Sequence, residues 1–307
     1  LENREIEIAG DRVHDPRLEE VLNLPPLPAR PRDGHKGTFG TVIVVGGSPT
    51  MMGAPALCAS AALRSGAGLV KLAVPQELLP VALCIEPGAT GVVVTGDALE
   101  DARRILEETD PKAKAVLAVG CGIGQSERAG RLVAQVLHRR GGRAMVLDAD
   151  GLNLLASPAL ADNLMFDPSV VLTPHPGEFR RLAETFVGRG DTTDPAERPA
   201  AAAALARRLG AVVVLKSDAT VVTDGQRGYI NRSGNPALAT AGSGDVLTGV
   251  IAGLIAQGMA GFDAAVLGVY LHGRAADFWA VHYGPSGLTA QDLARLLPKA
   301  FQEQRQQ

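Results

Sequence analysis

Aromatic residues make up only 4% of the 307-residue chain, with a single Trp, so its core must be assembled from small aliphatic side chains such as Ala, Val and Leu. Cysteine is scarce as well: Cys58, Cys84 and Cys121 are widely spaced, odd in number and match no metal-ligand pattern. That excludes a disulfide-stapled scaffold and a zinc module, and it reads as free thiols in a reducing compartment. Lysine is rare too, with 24 Arg and 6 Lys among 30 basic residues, so a lysine inside a motif stands out. No apolar run approaches the ~18 residues that cross a bilayer. The charged start, Leu1 to Gly10, carries no signal-peptide core. A net charge of −3 offers no polycation for nucleic acid. Neither a Walker A run nor a Gly-x-Gly-x-x-Gly after a strand occurs, which disfavours P-loop and Rossmann proteins. The expectation is a soluble, cytoplasmic protein without membrane or nucleic-acid partners.

What is present alternates. Residues 1–35 read as a leader, with a short helical pattern over 18–22 and then the stiff run Leu24-Pro25-Pro26-Leu27-Pro28-Ala29-Arg30-Pro31. Residues 36–307 read as a single domain. Strands are expected over 41–45, 69–74, 92–94, 115–119, 144–147 and 170–172, and helices over 54–65, 98–108 and 128–139. Near-continuous apolar strands separated by helices imply a mostly parallel sheet covered on both faces. The pattern then changes: 211–215, 219–223 and 228–230 lie close together and are joined by turn signals such as Asp224-Gly225. These read as antiparallel edge strands. Two long helices follow, over 246–257 and 264–282, while residues 187–200 read as a long polar loop.

The segment richest in chemistry is Gly242-Ser243-Gly244-Asp245, directly before an apolar helical run. Glycines let the chain turn sharply there, and the helix start offers unpaired N–H groups and a positive dipole end, a combination suited to phosphate. Asp245 at its lip is either a plain N-cap or a base. Asp148 and Asp150 follow a strand; they either hold turns and cap a helix or contribute to a weak site for hydrated Mg²⁺. In Thr173-Pro174-His175-Pro176-Gly177-Glu178, two prolines pin His175 on a rigid loop that presents its imidazole. Lys216-Ser217-Asp218-Ala219-Thr220 links two strands, either as a polar hairpin or as a segment whose lysine neutralises phosphate. Gly46-Gly47-Ser48, Gly53-Ala54 and Gly120-Cys121-Gly122 all lie just after or near strand ends, where α/β folds bind ligands.

Together with Lys36-Gly37-Thr38-Phe39-Gly40, Leu63-Arg64-Ser65-Gly66-Ala67-Gly68-Leu69 and Asp148-Ala149-Asp150, these motifs resemble the NAD(P)H-hydrate dehydratases over roughly residues 30–300. The resemblance implies a ribokinase-like three-layer α/β/α sandwich, a mostly parallel central sheet with an antiparallel edge. It implies ADP (in bacterial members) or ATP (in eukaryotic ones) as phosphoryl donor, Mg²⁺, often a homotetramer, and an epimerase domain or partner; the lack of an organelle-leader pattern leans the expectation to ADP. It places the hydrated dinucleotide (NADHX or NADPHX) against Ala54, Gly122, His175 and Asp245. It places the nucleotide against Lys216, Ser217, Asp218, Ala219 and Thr220 and against Gly242, Ser243 and Gly244. Glu178 would orient Mg²⁺ through water, or equally stand as a first-turn glutamate that favours a helix dipole. Ser217 stands where the family commonly has glycine, which raises the question of the local turn.

Asp245 could accept the proton of a substrate hydroxyl while the glycine-rich backbone stabilises the phosphate in transfer. On hydrated NAD(P)H this phosphorylates the C6 hydroxyl and converts a kinase half-reaction into a dehydration. A small-molecule alcohol kinase and a nucleotide sensor without turnover are the competing readings.

Overall fold

The computed structural model describes residues 15, 17–161, 164–188 and 194–306. Most of residues 1–16 in the expected leader, and 189–193 of the expected loop, lie outside the described residues.

β-Branched and apolar runs set the frame. The strands are β1 (Glu19–Glu20), β2 (Thr41–Val45), β3 (Leu69–Pro75), β4 (Thr90–Val94), β5 (Val116–Val119), β6 (Met145–Leu147), β7 (Val170–Leu172), β8 (Val212–Leu215), β9 (Val221–Thr223) and β10 (Arg227–Ile230). Among the described residues they form one ten-stranded sheet in the order β1-β10-β9-β8-β7-β6-β5-β2-β3-β4. The run from β8 to β4 is parallel throughout, and β9 is antiparallel to both β8 and β10. The parallel core and its antiparallel flank are therefore as the sequence implies. The helical pattern over 18–22 is not: Glu19–Glu20 pairs parallel with β10, and Val21, Leu24 and Leu27 pack on the core. The four prolines Pro25, Pro26, Pro28 and Pro31 leave no room for a helix to propagate, so the backbone bonds to the sheet instead.

The helices are α1 (Ala54–Arg64), α2 (Leu79–Ile85), α3 (Ala98–Arg103), α4 (Glu127–Arg139), α5 (Asp150–Leu155), α6 (Pro158–Ala161), α7 (Pro176–Phe186), α8 (Arg198–Leu209), α9 (Ser243–Ala256), α10 (Gly261–Tyr283) and α11 (Ala290–Gln306). The helix expected over 98–108 is α3 followed by a π-helical turn, Arg104–Glu108. The loop expected over 187–200 is shorter than read, because a 3₁₀ turn at Pro195–Glu197 leads into α8.

Side chains alternate across the sheet with the period of two that strands impose. Val42, Val44, Leu72 and Ala118 join α1, α9, α10 and α11 in one core; Ile43, Val45, Ala73 and Leu117 join α4, α5, α7 and α8 in the other. Three layers result. Small residues let the first core close tightly. A Cβ added to Gly249 of α9 would lie 2.2 Å from the Cys58 carbonyl oxygen of α1, and one on Gly253 would lie 2.9 Å from the Ala62 carbonyl oxygen. The backbones of α1 and α9 thus touch, which fixes the starts of both helices at the same end of the sheet.

Two substitutions test that contact. Gly249→Ala must part α1 from α9 and should destabilise the fold by ~1–3 kcal/mol, as overpacking does. Gly130→Ala in α4 has room, with the nearest atom 3.7 Å from the new Cβ. It should stabilise by ~0.5–1 kcal/mol through helix propensity. Urea unfolding of both variants gives the two signs; a neutral Gly249→Ala would show that the helices have slack.

Candidate active site

Strand order reverses between β5 and β2: β3 and β4 extend one way, and β6, β7 and β8 the other. Loops leaving a parallel sheet at such a point diverge and open a crevice. Gly46-Gly47-Ser48 follows β2 and Gly120-Cys121-Gly122 follows β5, and the Gly47 N–H donates to the Cys121 carbonyl oxygen at 3.0 Å. Gly122 has a φ of +65°, and a Cβ there would lie 2.9 Å from the Ala54 Cβ and 2.7 Å from the Met51 carbonyl oxygen. Ala54 and Gly122 are therefore brought together, against each other, on one side of the crevice. Met51 and Met52, each 38% exposed, stand at its edge.

The other side is a cavity of about 750 Å³ lined by residues that include His175, Lys216, Ser217, Thr220, Ser243 and Gly244. Asp218 also lines it, with its carboxylate on Arg198 at 2.8 Å. Ala219 continues the same loop. The Ser217 N–H donates to Thr220 Oγ1 at 3.2 Å, and Thr220 Oγ1 returns a bond to the Ser217 carbonyl at 3.0 Å. Among the described residues only Ala113 and Ala149 have positive φ without being glycine. Ser217 thus keeps ordinary backbone angles, and its replacement of the family glycine leaves this turn intact.

Between the two sides stands the start of α9. Its cap is Gly242, in the left-handed region with φ 86°, and no side chain caps the helix. Asp245 is consequently the third residue of α9 and not its N-cap, which removes the capping reading of that carboxylate. The uncapped first turn leaves N–H groups without helical partners. Beneath it, the buried His272 ring donates from Nε2 to the Ser243 carbonyl oxygen at 2.9 Å, since a carbonyl can only accept. Burial holds the His272 pKa down at about 4, so the ring is neutral.

Charges converge beside this turn. Asp148, 1% exposed after β6, accepts from Lys216 Nζ at 2.7 Å, from the Ala149 N–H at 2.8 Å and from Thr248 Oγ1 at 2.8 Å. Burial opposes the Lys216 charge, yet Asp148 and Glu178 hold its pKa above the usual lysine value. Asp150 turns the other way, accepting from the Gly124 N–H at 3.1 Å and from Gln125 at 2.8 Å. Ala149 between them has φ 52° and ψ −125°, a conformation that costs an alanine ~1–3 kcal/mol. That turn is what aims the two carboxylates apart.

His175 is the N-cap of α7: its Nδ1 accepts from the Gly177 N–H at 3.0 Å, and Glu178 Oε2 accepts from the His175 N–H at 2.9 Å. Nε2 lies 3.2 Å from the other Glu178 oxygen. Burial, with the Lys216 and Arg181 charges, lowers the His175 pKa, and burial raises that of Glu178. Sequence reasoning presents this imidazole to ligand; the structure shows it capping a helix while still lining the cavity. No group of three His, Cys, Asp or Glu side chains that could hold a metal occurs among the described residues. Both Glu178 oxygens contact His175, at 2.9 and 3.2 Å, so an approach of this carboxylate to Mg²⁺ would run through water.

Burial and the neighbouring Asp148 raise the Asp245 pKa to about 7, with Glu178 adding to the rise and Cys121 and Lys216 opposing it. Sequence reasoning missed Asp148 as the centre of this cluster, and it missed His272 and Thr248 altogether. It missed orphaned atoms too: among the described residues the buried side-chain atoms without a partner are Ser48 Oγ, Ser217 Oγ and Gln304 Oε1. Two of the three lie on the two sides of the crevice. Buried polar atoms of this kind are ordinarily completed by water or by a ligand.

The family model for NAD(P)H-hydrate dehydratase matches residues 42–299. The chain belongs to that family. It is 41% identical to the ADP-dependent (S)-NAD(P)H-hydrate dehydratase of Neisseria meningitidis over 281 residues, 90% of each chain. It is 43% identical to the bifunctional NAD(P)H-hydrate repair enzyme of Moorella thermoacetica over 285 residues, 89% of this chain and 51% of that one. The chain therefore spans about half the length of such bifunctional relatives. Among solved structures, the ADP/ATP-dependent NAD(P)H-hydrate dehydratase of Bacillus subtilis, co-crystallised with ATP/Mg²⁺, superposes with a TM-score of 0.74 at 30% identity, covering 91% of this chain and 95% of that one. A ribokinase-like superfamily protein of Enterococcus faecalis gives a TM-score of 0.78 at 24% identity over 96% of this chain and 99% of that one, and supports the fold. The dehydratase family and the ribokinase-like α/β fold are thus as the motifs imply.

The raised Asp245 pKa has a consequence for stability. Its folded value of about 7 lies above the ordinary 3.8, so the folded chain binds the extra proton between those values. That contribution is full below 3.8 and is lost as pH rises through about 7. Asp245→Asn, which never ionises, should gain thermal stability over the parent progressively across that window. A melting-temperature difference that stays flat with pH would show that Asp245 is not desolvated.

Proposed function

We propose that the protein dehydrates hydrated NAD(P)H, the S epimer of NADHX or NADPHX, at the expense of ADP or ATP, a hydro-lyase activity of metabolite repair. The observation that carries this reading is the placing of Asp245, a half-buried, largely desolvated carboxylate beside Cys121 and one residue beyond Gly244, which lines the Lys216 cavity. The dinucleotide lies on the first side and the nucleotide in the cavity, with His175 at their boundary. Lys216, the loop to Thr220 and the first turn of α9 through Gly244 meet the phosphates.

Asp245 takes the proton of the C6 hydroxyl as that oxygen attacks phosphorus, and the P–O bond to the leaving nucleotide breaks. The Lys216 ammonium and the residue 242–244 backbone stabilise the charge in transfer. The N1 lone pair then expels phosphate, and loss of the C5 proton restores the dihydropyridine. A base contributes most when its proton affinity lies near the working pH, and a value of about 7 meets that condition. Mg²⁺ would enter with the nucleotide and help neutralise the phosphate charge, with Glu178 orienting it through water. The name of the Neisseria relative supports ADP as donor. The same proposal includes a homotetramer, an epimerase domain or partner, and a cytoplasmic place. No helix among the described residues is long and apolar enough to cross a membrane.

The test is direct: the protein is incubated with NADHX, Mg²⁺ and ADP or ATP while the absorbance of reduced nicotinamide is followed. Recovery of absorbance supports dehydration; nucleotide consumption only with a simple alcohol would replace it with a kinase. Asp245→Asn should fold, bind nucleotide and lose turnover by at least ~100-fold. In the parent, kcat/KM should rise with pH through about 7. Unchanged turnover in Asp245→Asn would remove the base from this position.

Two further substitutions separate the sides. Lys216→Ala should weaken ADP by ~1–3 kcal/mol, the worth of a charge-assisted bond. His175→Ala should weaken NADHX more than ADP, and loss of its cap should lower stability by ~1 kcal/mol. Equal loss of both ligands at His175 would move it off the dinucleotide side.

A further inference from the structure

The spacing of Asp148 and Asp150 gives Asp148 no particular task; its bonds do. A carboxylate taken almost entirely out of water needs its charge met and its lone pairs filled. Asp148 achieves both with donors from distant segments, Lys216 Nζ at 2.7 Å and Thr248 Oγ1 at 2.8 Å, and with the Ala149 N–H next to it. Lys216 opens the loop that lines the cavity. Thr248 follows Gly244 by four residues on α9, so the two share one face of that helix. A Cβ placed on Gly244 would lie 3.3 Å from Lys216 Nζ and 3.4 Å from Asp148 Oδ2. Ammonium, carboxylate and the backbone of the uncapped first turn therefore meet at one point.

A lysine is a point charge on a flexible four-carbon stem, and holding it in one place costs rotamer freedom. We propose that Asp148 is a positioning residue: locked by Thr248, it fixes the Lys216 ammonium against the first turn of α9, where a phosphoryl group in transfer needs it. Asp148 is 1% exposed and holds three donors from the protein, so its part is to orient the lysine. The charge enters the phosphate site already ordered, and no rearrangement of the lysine accompanies the chemistry.

Positioning and simple electrostatics give opposite signs. Removing a negative charge beside a polyphosphate relieves repulsion, so charge alone makes Asp148→Asn bind ADP more tightly. Positioning makes the same substitution weaken ADP and slow turnover, and only while Lys216 is there to be positioned.

The experiment is a double-mutant cycle on the full chain: parent, Asp148→Asn, Thr248→Val, Lys216→Met and the two pairs with Lys216→Met. ADP affinity is read by calorimetry, and kcat and KM by NADHX turnover. Asp148→Asn is expected to lower kcat/KM for ADP at least ~10-fold and Thr248→Val ~3-fold or more, with ADP affinity falling in both. In the Lys216→Met background each should cost less than ~2-fold, the mark of coupled residues. Equal losses in the two backgrounds, or tighter ADP with turnover kept, would overturn the proposal. Thr248→Val keeps the carboxylate and the side-chain shape, so the coupling is measured even where Asp148→Asn fails to fold. The inference rests on the dehydratase reading for turnover alone. A parent that does not convert NADHX removes that reading, and the calorimetric cycle on ADP still decides this one.

Discussion

Where β6 and β8 end, the Asp148 carboxylate and the Lys216 ammonium face each other 2.7 Å apart, and the neighbouring architecture is built to keep them there. Taking the Asp148 carboxylate out of water costs several kcal/mol, so the pair persists only with good geometry and further donors on that carboxylate. The Thr248 hydroxyl and the Ala149 N–H are those donors. The demand spreads outward. A Cβ on Gly120 would lie 2.1 Å from the Asp148 carbonyl oxygen, so the chain leaving β5 can pass this point only as glycine. Ala149 is held at positive φ because the chain must turn Asp148 inward and Asp150 outward within two residues. Unfavourable backbone is tolerated here, at a site where the pair fixes the heights of β6, β8 and α9.

The second constraint is the near contact of α1 and α9. With aromatics at 4%, the layer is filled by Ala, Val, Leu and Gly, and helices bearing such side chains approach closely. Ala54 begins α1 and Asp245 lies in the first turn of α9, so one packing contact sets the separation between the two sides of the crevice. The topological reversal at β5 and β2 opens that crevice, and the two helices determine its width.

Strands were legible because β-branched runs leave little choice. The bounds of β2 and β7 read from sequence coincide with those in the structure. Several helices were not legible, and the reasons are local. α7 starts from a histidine cap rather than Ser, Thr, Asp or Asn, so Pro176 at its first position and Glu178 in its first turn are the signals left. α11 contains Pro298, a residue that reads as a breaker. α8 begins at Arg198-Pro199 after another proline, which reads as loop. The site divides in the same way. Gly242 to Asp245 is contiguous and could be read in one glance, although its cap is glycine and not Asp245. The Asp148 cluster joins residues 68 and 100 positions apart, and no spacing rule reaches that far.

Composition and chemistry are connected by a single chain of causes. Small side chains bring α1 against α9, and that closeness buries the first turn of α9 on its inner side. A glycine cap leaves the turn's N–H groups unanswered by any side chain, which suits an anion. Burial then acts on the carboxylate placed three residues into the same helix. Without it, the nearby Lys216 ammonium and the helix dipole would hold Asp245 ionised at every working pH and make it a poor proton acceptor. Desolvation, with Asp148 adding its charge, carries the group up to about 7 instead. A phosphate site and a proton acceptor ordinarily need opposite fields, one positive and one that raises proton affinity. Here they stand one residue apart because burial, rather than net charge, sets the second.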